Sequence, residues 1–135
     1  MSGRVLVLMG SESDRPTMEK GVDILREHGV DVHVEVSSAH RQPERTAELA
    51  SGARAAGFSV VICGAGLSAA LPGVVAAHTS LPVIGVPISA GTLGGLDALL
   101  AIAQMPSGVP VGVVGIDNSR NAAHLALRIL GAASG

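Results

Sequence analysis

Aromatic residues are nearly missing from this chain. Its 135 residues include no Trp, no Tyr and one Phe, Phe58. No aromatic faces are available to stack unpaired bases, and none flanks a loop where a flavin could rest. Positive charge is also scarce: 9 Lys and Arg face 11 Asp and Glu, a formal net charge of −2. No basic block exists to neutralise a phosphate backbone, so nucleic acid is not expected as a partner. A single cysteine, Cys63, leaves no basis for an internal disulfide framework or a Cys-rich metal site. It reads as a small buried hydrophobe. Long apolar runs are lacking too. The first, 5–9, is too short for a secretory h-region and far too short to cross a bilayer. These absences predict a cytoplasmic protein without a membrane partner.

What the chain does have is apolar aliphatic bulk. Hydrophobic residues make up 47% and charged residues 15%, in a length typical of one domain, here 1–135. Apolar runs alternate with helix-like patterns from end to end. Strands are expected at 5–9, 31–36, 58–63, 82–86 and 109–116. Helices are expected at 16–28, 43–56, 69–78, 95–104 and 118–130. The run at 31–36 alternates, with Val32, Val34 and Val36 on one face, as in a half-exposed strand near an edge. The run at 5–9 is continuous, as in a strand buried on both faces, and 58–63 is fully apolar after Ser59. Five β-α repeats predict an α/β domain with a central parallel sheet covered by helices on both sides. Right-handed crossovers put every strand-to-helix loop on one edge, where such sheets bind ligands at a topological switch point. With a flavodoxin-like strand order, the loops at 10–14, 37–42 and 64–68 converge there. The segments 69–77 and 96–103 are apolar almost all round, which predicts burial on more than one side and hence subunit contacts.

Two polar loops carry the chemistry. Gly10-Ser11-Glu12-Ser13-Asp14 stands where a phosphate-binding turn belongs, with hydroxyls and a helix start behind it. It lacks the Lys and the glycine spacing of a Walker A loop. Asp14 suits a ribose hydroxyl pair better than a phosphate. The same residues also suit an ordinary helix cap, by Ser13 or Asp14. In Ser38-Ala39-His40-Arg41, the guanidinium can grip a phosphate or carboxylate, and the imidazole is the default proton shuttle. The alternative for His40 is a plain solvent-exposed loop residue. His28, His33, His78 and His124 read as structural or solvated, and no two histidines have a metal-ligand spacing. The stretch from Gly64 to Ala69 formally matches a dinucleotide fingerprint, but no carboxylate lies near the end of the next strand. Backbone approach to a small flat ring is the better reading. Asp97 and Asp117 are not tied to His40 by sequence.

Taken together, Gly10-Ser11-Glu12-Ser13-Asp14, Ser38-Ala39-His40-Arg41, Gly64-Ala65-Gly66 with Leu71-Pro72-Gly73, and the stretch from Gln104 to Val111 resemble the PurE family, the 5-(carboxyamino)imidazole ribonucleotide mutases of purine synthesis. The resemblance covers nearly the whole chain. It implies a flavodoxin-like three-layer sandwich assembling as a homo-octamer, with no metal and no organic cofactor. It implies a small ribonucleotide substrate and coupling to the carboxyaminoimidazole ribonucleotide synthetase. It puts Ser11, Ser13, Ser38 and Arg41 on the phosphate and Asp14 on the ribose. Ala65, Gly66 and Leu71 would line the carboxylate and ring pocket, with His40 as general acid/base. Ala70 departs from the family pattern, which has His before Leu-Pro-Gly. The Arg-Ser-Asn segment of the related carboxylase branch is absent, which keeps the mutase ahead of direct carboxylation of aminoimidazole ribonucleotide. A non-catalytic nucleotide-binding module is the rival of a different class.

Overall fold

A computed structural model describes residues 3–134. Five strands form one parallel sheet: β1 (Arg4–Met9), β2 (Asp31–Val36), β3 (Val60–Gly66), β4 (Val83–Ile88) and β5 (Gly112–Val113), in the order β2-β1-β3-β4-β5. That is the flavodoxin-like order, and its reversal point lies between β1 and β3. Five helices connect the strands: α1 (Arg15–Glu27), α2 (Pro43–Gly52), α3 (Leu71–His78), α4 (Leu96–Ala103) and α5 (Ser119–Ser134).

Alternate residues of the apolar strands feed two cores, one on each side of the sheet. Val5, Val7 and Met9 of β1 pack with Met18, Val22 and Leu25 of α1 and Ala122, Ala126 and Leu130 of α5. Leu6 and Leu8 face the other way, toward Ala50 of α2, Leu71 and Val75 of α3, and Ala98 and Ile102 of α4. The result is the expected three-layer sandwich. β2 is an edge strand, with its three valines half-buried and Asp31 and His33 exposed.

Several expected boundaries moved, each for a local reason. β5 pairs over only two residues, not along 109–116. Pro110 has no N–H to give the ladder, and Pro87 on the partner strand has none to return. Asp117 then turns away at φ +59. α2 stops at Gly52 instead of 56 and continues as turns closed by Ala56 N–H to Gly52 O (2.9 Å) and Gly57 N–H to Arg54 O (3.0 Å). β3 runs on through Gly64, Ala65 and Gly66, which pair with Val86, Pro87 and Ile88, so these three end a strand and do not form a loop. α3 starts at Leu71 and not at 69, because Leu67 (φ +54) and Ala69 (φ +31) are left-handed. α5 extends to Ser134, four residues past 130, since nothing after Leu130 breaks it.

The apolar helix α3 packs on both the sheet and α2, whereas α4 turns one side to the sheet and the other outward. α4 buries Ala98 and Ile102 and leaves Leu96 and Leu100 each 50% exposed, beside Leu93 at 59%. Within one described chain, nothing covers that outer face.

Candidate active site

Four consecutive strands, β2, β1, β3 and β4, deliver their carboxyl ends to one cleft of about 390 Å³. It is lined by Ser11, Ser13, Asp14, Ser38, His40, Arg41, Ala65, Gly66 and Leu71, so all nine residues singled out from sequence converge. Gly10, Ala39, Ser68, Ala70 and Ala90 complete much of the wall. Three interstrand spacings separate the β2 loop from the β4 loop, roughly 14 Å. The cleft is therefore elongated, with mainly polar side chains at the β1–β2 end and mainly backbone and apolar groups, beside the Ser68 hydroxyl, at the β3–β4 end.

At the β1 end, Ser11 caps a 3-10 turn (Glu12–Asp14) that precedes α1. Its Oγ accepts from the Ser13 N–H (3.3 Å) and lies 2.9 Å from Ser13 Oγ. One hydroxyl donates to the other, which leaves an O–H free to point at a ligand. Asp14 is the formal cap of α1 but makes no side-chain capping bond. The capping alternative therefore does not account for its carboxylate. Asp14 is only 9% exposed. Burial holds its carboxyl above the ordinary range; a hydrogen bond to the Ser11 backbone opposes this, and the charge of Asp117 adds to it.

The β2 loop is closed on itself. Buried Ser37 Oγ meets Thr46 Oγ1 of α2 at 2.8 Å. Ser38 Oγ accepts the Arg41 N–H (3.2 Å), and Ser38 O accepts the Gln42 N–H (2.7 Å). Below the loop, Arg45 forks onto Glu35 at 2.8 and 3.1 Å, tying α2 to the edge strand and holding the Glu35 carboxyl below its usual range. These ties present His40 and Arg41 on a braced turn. Among the described residues, neither the imidazole nor the Arg41 guanidinium has a hydrogen-bond or ion-pair partner, whereas Arg15 and Arg45 are both engaged by carboxylates. Arg41 is thus the cation at the cleft available to an anionic ligand.

His40 is the one histidine lining the cleft among the described residues. His28 ends α1 with Nδ1 at 2.9 Å from Ile24 O, and His33 contacts Glu35 at 3.2 Å on the strand's outer face. Cys63 is fully buried, and burial drives its thiol far above the ordinary value, so it stays protonated.

At the other end, a Cβ on Gly66 would come within 3.2 Å of Ile88 O and 3.3 Å of Ala90 Cβ, so β3 and the loop after β4 abut with no room for a side chain. The left-handed Leu67 and Ala69 follow directly, and such backbone strain concentrates at ligand sites. Sequence reasoning missed Ala90, because the fourth strand was ended two residues early. It also missed the link behind it, where Ser89 donates to Asp117 from its N–H (2.8 Å) and its hydroxyl (2.5 Å). The available signal was Asp117 itself, a polar residue directly after a strand.

Comparison with known proteins defines the class. A family model described as AIR carboxylase matches residues 4–135, and the chain belongs to that family. It is 56% identical over 125 residues to the N5-carboxyaminoimidazole ribonucleotide mutase of Pyrococcus horikoshii, covering 93% of this chain and 71% of that protein. It is 53% identical over 126 residues to the phosphoribosylaminoimidazole carboxylase of Candida albicans, covering 93% of this chain and 22% of that one. Among solved structures, Treponema denticola PurE superposes with a TM-score of 0.86 at 30% identity, over 97% of this chain and 81% of that one.

Proposed function

We propose that this cleft converts 5-(carboxyamino)imidazole ribonucleotide into 4-carboxy-5-aminoimidazole ribonucleotide, a mutase step of purine synthesis carried out by residues 1–135 as one domain. The observation that carries the reading is that one cleft brings together a single unpartnered imidazole, His40, an unpaired guanidinium, a pair of serine hydroxyls and a wall of strand backbone. The mutase names of relatives at 52–56% identity support the same reaction.

Ser11, Ser13, Ser38 and Arg41 hold the phosphate through free O–H and N–H donors. Asp14 accepts from the ribose hydroxyls. Ala65, Gly66 and Leu71 line the ring, where absent side-chain bulk lets backbone amides reach the carboxylate. His40, protonated, gives its proton to the carbamate nitrogen as the N–C bond breaks, leaving carbon dioxide and 5-aminoimidazole ribonucleotide. The electron-rich carbon 4 attacks that carbon dioxide, and the proton lost from carbon 4 returns to His40. Protons and carbon balance over the cycle, and no organic cofactor or metal enters the scheme. The small, largely apolar ring end keeps the carbon dioxide at high effective concentration.

The exposed face of Leu93, Leu96 and Leu100 supports a homo-oligomer, proposed as an octamer working in the cytoplasm. Coupling to the synthetase that forms the carbamate follows from the ease with which such a carbamate loses carbon dioxide. A second reading, direct carboxylation of aminoimidazole ribonucleotide, draws on the Candida relative's name. Offering each substrate separately, with and without bicarbonate, divides the two. Rapid product from the carbamate alone is expected; product only from aminoimidazole ribonucleotide plus bicarbonate would reject the mutase.

A further inference from the structure

We propose that Asp117 is a positioning residue that fixes Ser89 and Ala90 as the rigid wall at the ring end of the cleft. Asp117 sits at φ +59, a conformation that non-glycine residues rarely adopt. Its backbone N–H donates to Pro87 O at 2.8 Å. Its carboxylate spends both oxygens on one neighbour: Oδ1 accepts the Ser89 N–H at 2.8 Å and Oδ2 accepts the Ser89 hydroxyl at 2.5 Å. The loop after β5 is thus stitched to the end of β4 at three points.

Ser89 is exposed, but its backbone lies against Gly95 on the other side. Gly95 is left-handed at φ +96, and a Cβ there would come within 3.2 Å of Ser89 Cα and 2.7 Å of Ile116 Cγ2. The next residue, Ala90, lines the cleft and abuts Gly66, as described above. Any slack at Ser89 therefore moves the wall against which the ring lies. The charge of Asp117 also adds, after burial, to the raising of the Asp14 carboxyl. The sequence does not tie Asp117 to His40, and the phosphate and proton groups leave it unused.

Resting on the mutase reading, the clamp predicts a particular defect. Carbon dioxide and 5-aminoimidazole ribonucleotide coexist in the cleft between bond cleavage and recapture. A loosened wall lets them escape before the new bond forms. The readout is the ratio of released 5-aminoimidazole ribonucleotide to product, corrected for loss without enzyme. Asp117→Gly keeps the backbone conformation and deletes the clamp; Ser89→Ala deletes one of its bonds; Asp117→Asn can rebuild both. A hydrogen bond to a charged group is worth enough to raise that ratio about tenfold in Asp117→Gly, with a smaller rise in Ser89→Ala and a near-parental ratio in Asp117→Asn. Thermal midpoints of all three are recorded alongside. If Asp117→Gly and Ser89→Ala release no more intermediate than the parent, the positioning role is overturned; should Asp117→Gly fail to fold, Ser89→Ala decides. The dissociation constant for 5-aminoimidazole ribonucleotide, measured by calorimetry on the same proteins, does not depend on turnover. Weakening of roughly tenfold in Asp117→Gly supports the clamp, and equal affinities overturn it. A parent that binds through the clamp but never converts the carbamate overturns only the mutase reading.

Discussion

At the β1–β2 end of the cleft the lining is made of side chains: two serine hydroxyls in mutual contact, a third that shapes a turn, an unpaired guanidinium and a buried carboxylate. At the β3–β4 end it is made mostly of strand backbone, alanines and two leucines, with Ser68 the one side-chain hydroxyl. The first end can be altered one functional group at a time while the fold stays put. The second has less room, because a Cβ added at Gly66 would crowd Ile88 O and Ala90 Cβ. On the proposed function, binding strength and chemical containment fall to different materials, and His40 belongs to the loop at the polar end.

That division makes graded predictions. His40→Asn should lower kcat by about 10²–10⁴-fold, the usual contribution of a general acid/base, while leaving the affinity for 5-aminoimidazole ribonucleotide nearly unchanged. Calorimetry beside steady-state assay checks it; comparable loss of both would merge the two ends into one binding surface. Arg41→Ala should weaken ribonucleotide binding roughly 10–100-fold through the lost charge-assisted bonds. The same change should not alter binding of the nucleoside without its phosphate, and an equal loss for both ligands would move Arg41 off the phosphate.

Asp14→Asn gives the smallest effect and one of opposite sign for stability. The folded-state pKa of Asp14 is raised, so the folded protein binds its proton more tightly than the unfolded chain does. Stability contributed at this site is thus full below the ordinary carboxylate value and is lost as pH rises through the raised one. Replacement by the neutral amide should raise the thermal midpoint modestly at pH 7, and the gain should fade toward pH 3, while ligand affinity falls. A midpoint unchanged at both pH values would remove the strain ascribed to burying this carboxylate.

The same two ends explain what could be read without coordinates. Ser11, Ser13, Asp14, His40 and Arg41 are legible because chemistry resides in their side chains and because each follows a strand whose apolar pattern is plain. Right-handed crossovers account for the loops sharing one edge, and the flavodoxin-like order that the resemblance implies is the order observed. Ala90 and Asp117 were not legible in the same way. An alanine carries no chemical signal, and Asp117 matters only because a two-residue β5 brings it beside Ser89. The fifth strand was overextended since valines at 109, 111, 113 and 114 look like a strand, while the prolines at 110 and 87 limit the pairing on both partners. Ala70, where the resembled family has a histidine, lines the cleft with a methyl group in place of an imidazole.

The central claim is that the carboxyl carbon crosses from nitrogen to carbon 4 within this cleft. Carbon-13 placed in the carbamate of 5-(carboxyamino)imidazole ribonucleotide, with excess unlabelled bicarbonate in solution, tests it directly. The account predicts that the 4-carboxylate of the product keeps the label. A product carrying unlabelled carboxylate drawn from solution would contradict it.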